Sequence, residues 1–141
     1  MTLLVDAAPL VALADRDEPR REAILESLRD EPGPLVVPAP TTAEVDYLLG
    51  RRFGPAARRA FLGDLAAGRF TIGCLEREDH AAVLELETRY DALDLGLADC
   101  ALVVLAGRRG TTRLLTFDER HFRAVAPLAG GTAFTLLPGD G

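Results

Sequence analysis

Short apolar runs alternate with longer segments of helical pattern along most of the chain. Five of these runs have the length and the β-branched or aromatic content of strands; they are residues 3–6, 35–37, 70–73, 114–116 and 134–137. The first four lack regular polar alternation, which is typical of strands in a parallel sheet that is covered on both faces.

Apolar side chains between the strands recur at the spacing of amphipathic helices. Three stripes are visible: Ile24, Leu25 and Leu28; Ala57, Phe61 and Leu65; and Val83, Leu86, Tyr90 and Leu93. The segment 98–106 is apolar on nearly every side, which predicts a buried helix. This alternation of strands and helices predicts a three-layer α/β fold with a parallel sheet.

The composition fits one globular domain that spans residues 1–141, because 48% of the residues are hydrophobic and 27% are charged. No apolar run approaches the ~18 residues that span a bilayer. The apolar start has no basic segment before it and is interrupted by Asp6, so we expect no signal peptide and a cytoplasmic protein. Cys74 and Cys100 lie among apolar neighbours and are expected to be free, buried thiols.

The net charge of −6 disfavours general binding of nucleic acids, which depends on neutralising phosphates. It leaves room for a local basic rim around an acidic pocket. Two groups of arginines could be solvated faces or could contact phosphate; the first contains Arg51, Arg52, Arg58 and Arg59, and the second Arg108, Arg109 and Arg113.

Four acidic residues lie at the ends of strands or near the starts of helices. Asp6 closes the first strand and Asp118 follows the fourth. Ligands of parallel α/β sheets collect outside the carboxyl ends of the strands. Glu44 and Asp99 lie near the starts of helices that follow strands, and these starts face the same edge. We therefore expect all four acids to converge on one pocket.

Each acid also has a purely structural explanation. Glu44 lies three residues after Thr41, which fits a capping box, and Thr42 is the other candidate cap. Asp99 would interact favourably with the helix dipole, although its helix has almost no polar face. The two acids that follow strands could each cap the next helix. We interpret Asp94 as the N-cap of the apolar helix and place it outside the site.

Convergence of the acids has an electrostatic consequence. Carboxylates gathered within about 5 Å repel by roughly 3 kcal/mol per close pair at an effective dielectric constant near 20. Either several of them are protonated, or a divalent cation neutralises them. Ligands that are all oxygen favour Mg²⁺ or Mn²⁺. Such a cation at an open edge suits direct hydrolysis of a phosphodiester bond.

This ordered set of features resembles the PIN-domain ribonucleases. The set consists of Asp6 on the first strand, Glu44 on a helix after a proline-bounded strand, Asp99 at the start of an apolar helix, and Thr116-x-Asp118 after a strand. The stretches LDLGLADCALVVLA and LLTFDERHF are most similar to those of VapC-like toxins of bacterial toxin–antitoxin pairs. The likeness covers essentially the whole chain.

The resemblance implies a parallel sheet with strand order 3-2-1-4-5 and an endonuclease that depends on Mg²⁺ or Mn²⁺. Its substrate would be single-stranded or loop regions of RNA. It would be a homodimer held inactive by a cognate antitoxin whose tail occupies the active-site groove. By matching position, the metal-site acids would be Asp6, Glu44, Asp99 and Asp118. Thr116 would support them, its hydroxyl bonding a neighbouring acid or a metal-bound water.

The chain departs from the family pattern just after the fourth acid. Many relatives have a further acid where this chain has Arg120, and the aromatic residue, Phe122, arrives one position later. Glu119 could substitute, or the site could lack a fifth acid. His121 follows Asp118 by three residues, so on a helical turn it could face the pocket. The alternative is a packed or solvated loop residue.

Two other functions compete with the nuclease hypothesis. The first is a non-catalytic PIN-like module that binds RNA or a protein. The second is a receiver-like phosphoryl-transfer protein built on Asp6. The second is disfavoured because the chain has no lysine and no GxxxxGK[ST] phosphate loop.

Overall fold

A computed structural model describes residues 1–141 and contains one five-stranded sheet. The strands are β1 (Leu3–Val5), β2 (Leu35–Pro38), β3 (Thr71–Gly73), β4 (Arg113–Leu115) and β5 (Thr135–Leu137). All neighbouring strands are parallel, and their order is β3-β2-β1-β4-β5. The predicted parallel sheet and its strand order are therefore confirmed.

Seven α-helices connect and cover the strands. They are α1 (Ala7–Ala12), α2 (Arg21–Asp30), α3 (Ala39–Phe53), α4 (Pro55–Ala66), α5 (Arg77–Arg89), α6 (Leu97–Arg108) and α7 (Glu119–Phe122), and a short 3₁₀ turn spans Asp91–Leu93. No apolar stripe predicted helix α1, which begins directly after Asp6 and confirms the alternative that Asp6 caps a helix. The third predicted stripe ends early, because α5 stops at Arg89, although Tyr90 and Leu93 still pack against the core.

Each face of the sheet has its own hydrophobic core, because successive strand residues point to opposite faces. One core contains Leu4, Val36, Leu114 and Leu136 with residues of α5 and α6, and the other contains Leu3, Val5, Val37 and Leu115 with residues of α1 to α4. The middle of α6 is buried on all sides, as predicted for segment 98–106. This arrangement confirms the three-layer α/β/α fold.

Three local predictions were wrong. Asp94 does not cap α6: it has φ 53° and ends the 3₁₀ turn, and Gly96 occupies the N-cap position. The capping box at Thr41 does not form. Helix α3 begins earlier, at Ala39, because a proline fits the first turn of a helix where its missing N–H is not needed. Thr41 is therefore inside the helix, and its buried hydroxyl has no hydrogen-bond partner.

The third wrong prediction concerns a thiol. Cys100 is buried on α6 as expected, but Cys74 is exposed. Cys74 directly follows β3, which is an edge strand of the sheet, and the neighbouring Thr71 and Ile72 are exposed as well. An apolar run therefore does not distinguish an edge strand from a central one.

None of the helices combines the length and the apolar character needed to cross a membrane.

Candidate functional site

Two of the four acids lie where β1 and β4 end side by side. The backbone N–H of Asp6 donates to the carbonyl of Leu115 (2.9 Å), which ties the end of β1 to the end of β4. Asp6 caps α1 by accepting from the N–H of Ala7 through Oδ1 (2.8 Å). Asp118 caps α7 through its own Oδ1, which accepts from the N–H of His121 (3.0 Å). Each cap uses one carboxylate oxygen, so capping and a role in a site are compatible.

Thr116 connects these two acids. Its hydroxyl donates to Oδ2 of Asp6 (2.7 Å) and accepts from the backbone N–H of Asp118 (3.0 Å). The threonine is buried, with 3% of its surface exposed, so water does not compete for these bonds. Thr116 thus bonds a neighbouring acid, as the resemblance implied, and it fixes the positions of the two acids relative to each other.

Asp99 is the most perturbed acid of the site. It lies in the first turn of α6, and its pKa is raised to about 6, first by burial and then by the charges of Asp6 and Asp118. The charge of His121 acts in the opposite direction, and that of Glu44 adds to the rise. These charges act on Asp99 because the four acids share one edge of the sheet.

Asp6 and Glu44, the other two site acids whose pKa values are raised, differ in how deeply they are buried. Burial is also the main cause that raises the pKa of Asp6, and the hydrogen bonds from Thr116 and Ala7 oppose it. The pKa of Glu44 is raised by burial and by the charge of Asp6. Glu44 is nevertheless an exposed residue of α3. It therefore lies at the rim of the site, and Asp6 and Asp99 lie deeper.

His121 belongs to a group of three side chains that are close enough to hold a metal ion together. Its Nδ1 lies 2.7 Å from Oδ2 of Asp118 and 3.6 Å from Oδ2 of Asp99. One ligand atom from each of these three residues lies within 4.8 Å of the other two. From the sequence alone, His121 was only a secondary candidate. The sequence indicated it through its position three residues after Asp118. This spacing brings the two side chains into contact because Asp118 caps the single turn of α7 that carries His121.

Glu119 and Arg120, where the chain departs from the family pattern, lie outside the group formed by Asp99, Asp118 and His121. Glu119 accepts a hydrogen bond from Arg123 (2.9 Å), and Arg123 also binds Asp140. Arg120 is exposed. Neither residue has a hydrogen bond or ion pair with the four acids. Glu119 is thus bound to Arg123 and is not one of the three residues close enough to share a metal ion.

A groove of about 390 Å³ runs beside Glu44. Its walls include Arg20, Arg52, Phe53 and Phe117, and the guanidinium of Arg20 lies over the ring of Phe117, 3.5 Å from the centroid. Arg52 supplies part of the basic rim that was anticipated from the sequence. Asp15 and Glu18 also line the groove, and Glu18 pairs with Arg20 at 2.6 Å, so Arg52 is the unpaired cation beside the aromatic surface.

The other arginine groups are used differently. Arg108 pairs with Asp79, and Arg113 pairs with the buried Glu31 at 3.0 Å. Arg58 lies 3.9 Å from Asp46. Arg58, Arg108 and Arg113 are therefore engaged with acids of the chain itself.

Comparison with known proteins identifies the family. The family model of the PIN domain matches residues 3–127. The chain belongs to the PIN domain family. The chain is also 38% identical, over 139 residues, to Ribonuclease VapC26 of Mycobacterium tuberculosis, a match that covers 96% of this chain and 100% of the relative. The resemblance to PIN-domain and VapC-like proteins is therefore confirmed.

Two solved structures share the PIN fold. VapC20 of Mycobacterium tuberculosis, described as a Sarcin-Ricin loop cleaving toxin, has a TM-score of 0.75 at 18% identity and covers 84% of this chain and 91% of its own. VapBC2 from Rickettsia felis, bound to a DNA fragment from their promoter, has a TM-score of 0.67 at 16% identity and covers 96% and 97%. At these identities the likeness concerns the fold.

The donor set of this PIN domain fits a divalent cation. Asp6, Asp99 and Asp118 carry carboxylate oxygens at the carboxyl edge of the sheet, where all three are partly buried, and none of them has an arginine within ion-pair distance. Buried acids with raised pKa values are typical of functional sites. Oxygen ligands are those that Mg²⁺ and Mn²⁺ prefer.

Proposed function

We propose that this chain is a metal-dependent endoribonuclease that acts as the toxin of a toxin–antitoxin pair, with residues 1–141 forming one PIN domain. The observation that carries the proposal is the group of partly buried acids at the carboxyl edge of the sheet, in which the pKa of Asp99 is raised to about 6. The 38% identity to a VapC ribonuclease over nearly the full length supports the same activity.

The proposed cation is Mg²⁺ or Mn²⁺, held by Asp99, Asp118 and Asp6 with Glu44 at the rim. When bound, it supplies Lewis acidity for hydrolysis of the phosphodiester bond. The contribution of the chain is to fix the donors. Thr116 links Asp6 to Asp118, and each of these acids uses Oδ1 for a helix cap. Oδ2 of Asp6 accepts from Thr116, and Oδ2 of Asp118 contacts His121.

The groove beside Glu44 is the proposed path of the RNA. Arg52, which is exposed and has no acid partner, would contact phosphates there, and the ring of Phe53, which is 40% exposed, offers a stacking surface for an unpaired base. The net charge of −6 makes such contacts local. A single strand or loop therefore suits this groove better than a long duplex.

The proposed protein partners are an antitoxin and a second copy of the chain. The toxin VapC20 and the VapBC2 pair share the fold, which supports a partner protein of this kind. Tyr47 and Phe53 on α3 are 61% and 40% exposed, so an apolar surface is available close to the groove. The proposed homodimer is tested by measuring the mass of the purified chain in solution.

The test is to express the chain alone in a bacterial host and to map new RNA ends across the transcriptome. Growth arrest with one dominant cleavage position is expected, because a nuclease of this class cuts a defined RNA. The Asp6→Asn variant should fold and remain harmless. Co-expression of a small partner encoded beside the gene should restore growth, and persistent toxicity would count against the antitoxin.

A purified sample separates catalysis from binding. RNA cleavage should require added Mg²⁺ or Mn²⁺ and should stop with a chelator. If the chain binds RNA but cuts none under any metal condition, it is a non-catalytic PIN module instead.

A further inference from the structure

His121 presents a ring nitrogen to two acids of the proposed metal site. Its Nδ1 lies 2.7 Å from Oδ2 of Asp118 and 3.6 Å from Oδ2 of Asp99, and only 19% of its side chain is exposed. The other histidine of the chain, His80, is exposed, and its Nδ1 lies 2.9 Å from the carbonyl of Glu76. The two histidines therefore have entirely different surroundings.

The oxygens of Asp118 determine what a cation meets. Oδ1 is occupied by the N–H of His121, which forms the cap of α7. Oδ2 is the remaining oxygen, and it is the atom that Nδ1 contacts. A cation drawn to Oδ2 therefore arrives beside the imidazole nitrogen. The ring must then move away or join the ligand set.

The distances favour joining the set. Adjacent ligand atoms of an octahedral ion with bonds of about 2.1 Å lie about 3.0 Å apart. The two contacts of Nδ1, at 2.7 Å and 3.6 Å, bracket this value. The same helical turn that carries Asp118 also carries the ring, so both donors move together. Small side-chain adjustments would bring all three donors to one ion.

We propose that Nδ1 of His121 is a direct ligand of the divalent cation, together with Asp99 and Asp118, and that it makes this site prefer Mn²⁺ to Mg²⁺. A nitrogen donor selects transition-metal ions over Mg²⁺, whose ligands are almost always oxygens. A bound cation would use the lone pair of Nδ1, so any proton on Nδ1 would pass to water and the ring hydrogen would be on Nε2. The inference rests on the proposed metal site and adds a ligand and a preference to it.

The test measures nitrogen coordination directly. Mn²⁺ is added to the full chain without a histidine tag, and pulsed EPR records the ¹⁴N modulation of a bound imidazole. We expect this signal in the wild type and in the control His80→Gln, and its loss in His121→Gln. Because the chain has two histidines, no third ring can produce the signal. Labelling the wild type with ¹⁵N-histidine should convert the ¹⁴N pattern to a ¹⁵N pattern, which needs no variant.

Competition between Mg²⁺ and Mn²⁺ measures the preference of the site for Mn²⁺. The ratio of the Mg²⁺ and Mn²⁺ dissociation constants should fall about tenfold in His121→Gln and stay unchanged in His80→Gln. Two results would overturn the inference and leave the metal site intact. One is Mn²⁺ that binds the wild type without nitrogen coupling, and the other is a ratio of the two dissociation constants that is the same in His121→Gln and His80→Gln. A wild type that binds no Mn²⁺ at all overturns the metal-dependent function as well.

Discussion

Both ends of the sheet hold buried or partly buried acids, but only the acid at the amino end is paired with arginine and ammonium groups of the chain. At the amino end, Glu31 has only 1% of its side chain exposed, and its Oε2 accepts from Nε of Arg113 at 3.0 Å. Its Oε1 accepts from the N–H of Gly33 (3.2 Å) and lies 3.7 Å from the ammonium group of Met1. The chain therefore neutralises this carboxylate with its own cations.

At the carboxyl end, Asp99 and Asp118 lie beside one histidine, His121, and neither has an arginine within ion-pair distance. The pKa of Asp99 is raised to about 6 by burial and by neighbouring acids, which means that its charge is costly there. A buried acid that the chain neutralises has a structural role. His121 offsets only part of the repulsion among the carboxyl-end acids, which supports the proposed cation site.

Asp99→Asn should produce the largest effect. Loss of a charged donor should lower RNA cleavage by at least about 100-fold, or roughly 3 kcal/mol in activation free energy. The free energy of unfolding without metal should stay equal or rise, because a repelling charge is removed. Initial rates and urea denaturation of the same samples measure both. A variant that is inactive only because it unfolds would remove this distinction between the two ends.

The second-largest effect should be the stabilisation by bound metal, which should depend on Asp99 at the carboxyl end and not on Glu31 at the amino end. Mn²⁺ at 100 times its dissociation constant should raise the free energy of unfolding of the wild type by about 2.7 kcal/mol, because only the folded chain assembles the site. Asp99→Asn should lose most of this gain, whereas Glu31→Gln should keep it. An equal gain in all three proteins would mean that Mn²⁺ binds elsewhere.

The sequence was sufficient to predict the carboxyl-end acids, for a geometric reason. In a parallel sheet every strand ends at the same edge, so acids placed after β1 and β4, and at the starts of the helices that follow β2 and precede β4, must approach one another. The strand order decides how closely these acids approach one another, and this order was predicted from the family resemblance. The metal-site roles of these residues remain predictions until a cation is measured.

The amino-end pair could not be predicted from the sequence. Glu31 and Arg113 are 82 residues apart, and each belongs to a stretch that resembles any charged surface segment. Their contact depends on where β2 and β4 begin, which periodicity does not define to one residue. His121 was underestimated for a similar reason, because its orientation depends on the cap that Asp118 forms. Local patterns predict elements well and predict long-range side-chain pairs poorly.

Glu31→Gln should destabilise the protein by about 1–2 kcal/mol. A buried pair that loses one partner can cost several kcal/mol, but Arg113 and the ammonium group of Met1 are partly exposed, so water still solvates them. Cleavage at saturating metal should be unchanged. The control is Glu22→Gln, which removes an exposed pair with Arg29 and should cost under about 0.5 kcal/mol. Equal costs for the two variants would show that burial of Glu31 does not matter.

The pH dependence of stability should show the smallest effect. The pKa of Asp99 is about 6 in the folded chain and 3.8 in a model acid, so the folded chain binds this proton more tightly than the unfolded chain does. The resulting stabilisation is complete below pH ~4 and is lost as the pH rises through about 6. Because Asp99 is partly exposed, we expect about 1 kcal/mol over this window.

The measurement is urea denaturation of metal-free wild type and Asp99→Asn between pH 4 and pH 7.5. Subtracting the two curves removes the titration of groups that both proteins share. The variant should gain about 1 kcal/mol relative to the wild type as the pH rises. Saturating Mn²⁺ should reverse the trend in the wild type, since the cation binds the ionised carboxylate and gains affinity as the proton leaves. Parallel curves without metal would mean that Asp99 ionises as freely in the folded chain as in the unfolded one, and the contrast between the two ends of the sheet would then not be electrostatic.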